Sequence, residues 1–177
     1  MIAVAGLVGL VAVWGAFRFI AADARVRHAN AIFSEGHPVE GAEAFEAALD
    51  ARADNHYRRI FADRLGDSAL AFKADPDPRA QDLADDFYER ARDAYAYLET
   101  FPHPNTISEY ARFLRAWAAY EPEVNSESLE LFERALALDP NNPALASEVD
   151  AAVASPPPPA PSPEPSPTPT TSPSTSP

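Results

Sequence analysis

The sequence predicts an all-α protein: an apolar N-terminal helix, a body of amphipathic helices and an extended tail. Three observations carry this. Only 6 of the 177 residues are glycine, and beyond residue 32 Val and Ile are few while Ala, Leu, Glu, Asp and Arg dominate, which favours helix over sheet. Apolar side chains recur at steps of three and four residues, and Pro, Asn and Asp punctuate the recurrences. The two ends are compositionally unlike the middle, leaving about 130 residues, 23–154, for one folded domain.

Residues 1–22 predict a transmembrane helix. The run from Ile2 to Phe17 carries no charge, and residues 2 to 22 match the roughly 20 needed to cross the hydrocarbon layer. Arg18 sits where a long side chain reaches the headgroups, and Trp14 and Phe19 suit the interface. Ala22-Asp23-Ala24 offers a cleavage site for a signal peptide instead, although the basic segment that should precede one is missing. Ala5, Gly9, Ala12 and Ala16 form a small-residue stripe suited to weak self-association of the span.

Arg18, Arg25 and Arg27 flank the span, and each favours an anionic lipid surface by about 1 kcal/mol. Beyond Arg27 the chain holds 11 basic and 26 acidic residues and carries −15, which repels nucleic acid. The basic flank places the body in the cytoplasm by the positive-inside rule. The tail points outward, because tails of this kind are frequent on exported bacterial proteins, so the side of the membrane stays open.

Val26, Ala29 and Phe33 carry a helix out of the membrane; Gly36 ends it and Pro38 starts the next, which holds Phe45, Ala48 and Leu49. Asp54 or Asn55 caps a third helix through Tyr57, Ile60, Phe61, Leu65, Leu70 and Phe72. Asp77-Pro78 opens a fourth, running to Leu98. After the His103-Pro104 turn, Thr106-x-x-Glu109 reads as a capping box for a helix carrying Ile107, Tyr110, Phe113, Leu114 and Trp117. Glu121-Pro122 ends it, and Asn125 or Ser126 begins the helix of Leu129, Phe132 and Leu136. Asp139-Pro140 closes that one, and Asn142-Pro143 opens a last helix whose Ser147, Glu148 and Asp150 supply a wet outer face. Residues 155–177 hold eleven prolines, six serines and four threonines, an extended spacer with too little apolar surface to order itself.

The stretch Ser128, Phe132, Ala135, Leu136, Leu138, Pro140 resembles the second half of a tetratricopeptide repeat. Gly41, Phe45, Ala48 and Leu49 follow the same spacing, as do Ala84, Tyr88 and Ala91, and Leu65-Gly66 matches the Leu-Gly of the first half. Ala22 to Asn55 has the 34-residue length of one repeat, whereas the segment around Lys73–Pro78 inserts about six residues into the next. The resemblance implies three helical hairpins and a capping helix. It also implies a concave face lined by first helices, with Asn30, Arg64, Arg112, Arg115 and Trp117 as the contacts for a protein or peptide partner. Asn30 with Arg25 and Arg27 resembles part of the carboxylate clamp of some such proteins, but the later first helices lack the asparagines.

No enzymatic chemistry is expected. With no cysteine, thiol chemistry is excluded, and His28, His37, His56 and His103 share no metal-ligand spacing, so neither metal nor cofactor is expected. Asp82, Asp85, Asp86, Glu89 and Asp93 line one side of a helix, where Asp86 and Arg90 form an i, i+4 pair. The expected function is a single-pass, membrane-anchored scaffold. A span leading straight into repeat hairpins is also similar to the C-terminal end of O-antigen ligase and polymerase proteins, which would make the chain a portion or relative of a glycan-assembly protein.

Overall fold

The computed structural model describes residues 19–154, whose regular structure is entirely helical, without strands. In chain order they are α1 over 19–34, α2 (Pro38–Ala51), α3 (Asn55–Lys73), α4 (Pro78–Glu99), α5 (Pro104–Trp117), a 3-10 turn (Pro122–Val124), α6 (Asn125–Leu138) and α7 (Pro143–Ala154). Most of the predicted membrane span, Arg18 and the tail lie outside the described residues. No described helix is long and apolar enough to cross a membrane.

Local chemistry sets most boundaries. Gly36 takes φ +87°, a left-handed conformation that only glycine adopts without cost. Its N–H donates to Phe33 O, and that of His37 donates to Ile32 O, the paired bonds that close a helix end. Asp54 caps α3 by accepting from His56 N, and Asp77 caps α4 by accepting from Arg79 N. Asn142 Oδ1 accepts from Ala144 N and Leu145 N at the start of α7. The inserted segment after α3 is tied down by Gln81, whose Nε2 donates to Lys73 O at 3.1 Å and to Asp75 O.

One predicted cap is corrected. Helix α5 begins at Pro104, and His103 Nδ1 accepts from Asn105 N, so Thr106 already lies in the first turn. Glu109, which a capping box would bend back to the helix start, reaches across to α3 instead, 2.8 Å from Arg59 Nε.

The helices stack as antiparallel hairpins in two layers. First helices meet first helices: Arg64 Nε donates to Asn30 Oδ1 (2.7 Å), and Tyr57 Oη donates to Asp23 Oδ1 (3.2 Å), both across 34 residues of sequence. Arg112 bonds Glu148 on α7. Second helices meet second helices through Arg90–Glu46 (2.8 Å), Arg92–Glu127 (2.9 Å) and Arg134–Glu99 (2.9 Å). Between the layers runs an aromatic seam. Phe45 stacks on Phe61 with ring centroids 5.2 Å apart, Phe72 meets Phe87 edge-on, and Tyr88 stacks on Trp117 at 4.2 Å.

Small residues mark where helices approach closely. A Cβ at Gly41 would lie 2.7 Å from Cδ2 of Phe33, itself braced against Phe45. Gly41→Val is therefore expected to lose about 1–3 kcal/mol by overpacking, read as a lower urea midpoint. At the corresponding place in the third hairpin, Ser128 is fully buried and its hydroxyl donates to Ala111 O at 2.8 Å.

Helix α7 closes the stack with Leu145 and Ala152 inward. Of the three residues expected on its outer face, Ser147 and Asp150 are exposed. Glu148 is not: it faces α5, where the Arg112 guanidinium holds both its carboxylate oxygens.

Candidate interaction cleft

Between α3 and α5, in the first-helix layer, the surface opens into a cleft of about 410 Å³. Gly66 and Leu70 of α3 and Phe113 and Ala116 of α5 form apolar walls. A Cβ at Gly66 would stand 3.0 Å from Phe113 Cδ2, so a larger residue there would begin to close the gap between the helices. The remaining lining is polar: Asp63 and Asp67 from α3, Tyr95 from α4, and Glu109 and Arg112 from α5.

The electrostatics of the cleft are strained toward negative charge. Tyr95 Oη donates to Asp63 Oδ1 at 2.6 Å. Burial nevertheless pushes the Asp63 carboxyl up, and Asp67, one turn away, pushes in the same direction against Tyr95 and Arg59. Burial raises Glu109 too, and the facing Asp63 charge adds to it against Arg59 and Arg112. Tyr95 is held neutral far above its ordinary range, first by burial and then by Asp63.

Raised carboxyl pKa values have a definite consequence for stability. The folded chain keeps these protons to higher pH than the unfolded chain does, so the two groups weaken the fold as pH rises through the carboxylate range. Glu109→Gln is expected to gain stability relative to the parent chain between acidic and neutral pH, seen as a urea midpoint that falls less with rising pH. A larger fall would show that the Arg59 pair outweighs burial.

The structure disperses the predicted contact residues. Asn30 and Arg64 are bonded to each other, half-buried. Arg112 reaches the cleft but is held by Glu148. Arg115 donates to Ala152 O (3.1 Å) and to Asn125 Oδ1 (3.4 Å), pinning α7 and the start of α6. Trp117 is corrected outright: it is 0% exposed, because its ring fills the space between α4 and α5 against Tyr88. Of the basic flank, Arg25 is exposed and Arg27 pairs with Asp23 at 2.8 Å.

Sequence reasoning missed Asp63, Asp67, Tyr95 and Glu109. Asp63 and Asp67 at i, i+4 were a legible like-charge pair. That Glu109 faces them depends on how α5 is rotated against α3. Two residues of the acidic row on α4 are paired within the fold: Asp86 with Arg90, and Asp85 with Lys73 at 2.7 Å. Among the described residues no group of three His, Asp or Glu side chains is placed to hold a metal ion.

Fold and cleft together define the class: an all-helical stack of hairpins with an acidic cleft in its first-helix layer. The chain matches no protein-family model, no curated protein and no solved structure.

Proposed function

We propose that this chain is a non-catalytic scaffold of the tetratricopeptide kind, carried on a membrane-embedded N-terminal segment, whose first-helix face docks a polypeptide partner. The observation that carries the reading is the α3–α5 cleft, with apolar walls and polar groups at its edge, in the layer that a stack of hairpins presents on one side. Two further features support it. Residues 23 and 57, and 30 and 64, meet across the same 34-residue interval, the spacing expected of equivalent positions in successive repeats. Residues 2 to 22, interrupted only by Arg18, have the length and composition of a span.

Site-directed photo-crosslinking in intact cells tests the docking face. A photoreactive side chain in place of the half-buried Leu70, which lines the cleft without carrying charge, is expected to give one discrete adduct, whereas one in place of the exposed Glu133, on the second-helix layer, gives none. Equal adducts from both positions, or none from either, would refute the scaffold reading. Carbonate extraction tests the anchor: the full chain is expected in the membrane pellet, and a chain lacking residues 1–18 in the supernatant. Protease accessibility of the tail then assigns the side of the membrane.

A further inference from the structure

Resting on that reading of the first-helix face, we infer that the α3–α5 cleft receives an arginine or lysine side chain of the docked polypeptide. The cleft leaves its own charges unbalanced. Asp63, Asp67 and Glu109 line it. Arg59 lies against Glu109, Arg64 bonds Asn30, and Arg112, the cation in the lining, is shared between the cleft and both oxygens of Glu148. Arg59 and Arg112 thus stand beside the three cleft carboxylates and Glu148 together, so negative charge stays in excess in a body that is already strongly negative.

The shape of the cleft narrows the choice of cation. No three ligands among the described residues converge as a metal ion requires. A guanidinium or ammonium group on an aliphatic stem fits better. Its head can bridge carboxylates on facing helices, and its methylenes lie along Leu70, Phe113 and Ala116. An anionic peptide end meets three like charges in the same place. The electrostatic strain within the cleft points the same way. Burial has raised Asp63 and Glu109, so an arriving cation relieves a cost that the folded chain carries when empty.

The test is selection from a phage-displayed library of random peptides on the purified full-length chain, followed by fluorescence anisotropy with the selected peptides. The expected result is a shared arginine or lysine whose replacement by citrulline or norleucine weakens binding roughly tenfold or more. The triple variant Asp63→Asn, Asp67→Asn, Glu109→Gln is expected to lose binding while its far-UV circular dichroism is unchanged. Asp67→Lys alone, at an exposed position that cannot disturb the core, is expected to weaken binding by at least about tenfold, so a folding defect in the triple variant does not remove the test. Selected peptides that compete at the first-helix face but share no basic residue overturn the inference and leave the scaffold standing. So does competition by spermidine at the affinity of the peptide, which would make the cleft a site for a small cation. Basic peptides indifferent to both cleft variants overturn the assignment of the site. Failure to select any peptide on the first-helix face counts against the scaffold reading itself.

Discussion

Trp117→Ala is expected to lower the unfolding free energy by about 3–5 kcal/mol, a large part of the stability of a domain this size. The indole is fully buried at the end of α5, and its ring touches three aromatic neighbours: Tyr88 stacked at 4.2 Å, Phe113 tilted at 6.4 Å and Tyr120 at 6.0 Å. Lys73 Nζ lies 5.0 Å from the ring centroid, so residues of α3, α4 and α5 all depend on this one side chain. Alanine leaves a cavity that these helices cannot close without moving relative to one another. Trp117→Phe separates packing from polarity. Trp117 Nε1 is buried without a hydrogen-bond partner, and so is Tyr88 Oη, so phenylalanine keeps a ring there and removes an unsatisfied donor. It is expected to lose far less than alanine in urea denaturation followed by far-UV circular dichroism. Equal losses would show that a phenyl ring does not fill the space the indole occupies.

Phe45→Ala is expected to cost a similar amount locally, about 3–5 kcal/mol, with a different signature. Phe45 is 0% exposed, stacked on Phe61 and edge-on to Phe33. It joins the hairpin of α1 and α2 to α3, at one end of the described stack. Stability in stacked repeats is approximately a sum of repeat and nearest-neighbour terms, so a defect at one end releases that hairpin before the rest. Hydrogen exchange is expected to lose protection in residues 22–51 while α4, α5 and α6 keep theirs. Trp117→Ala, at the contact between the second and third hairpins, is expected to lower protection across α3 to α6 together. A uniform loss of protection in both variants would show that the stack unfolds as one unit.

The two substitutions also separate what was legible in the residues from what was not. Phe45 belongs to a spacing that marks it as buried whichever neighbour it meets. Trp117 shares its stripe with Phe113 and Leu114, both buried, yet large aromatic residues near a helix end fit equally well in a binding face. Periodicity shows that a helix has an apolar face. Whether a given aromatic side chain on that face meets solvent or another helix depends on where the next helix lies.

The same division holds at the helix ends. Asp77 and Asn142 cap helices as their sequences predict, because a short acceptor followed by proline acts on backbone N–H groups two residues away. Thr106 and Glu109 had the right spacing for a cap, but Glu109 meets Arg59, a residue far away in sequence, and His103 takes the capping role. Local signals hold unless a side chain has a stronger distant partner.

The sequence by itself determined that the described body is all-α, where most of its helices begin and end, and that its charge is strongly negative. These properties follow from composition, from proline and capping residues, and from apolar periodicity, all of which act within a few residues of chain. Tertiary structure alone decided that Asn30 and Arg64 bind each other, that Glu148 turns inward to Arg112, and that Asp63, Asp67 and Glu109 line one cleft. The reason is the rotation of each helix about its own axis, which side-chain packing between hairpins sets and which no single helix specifies.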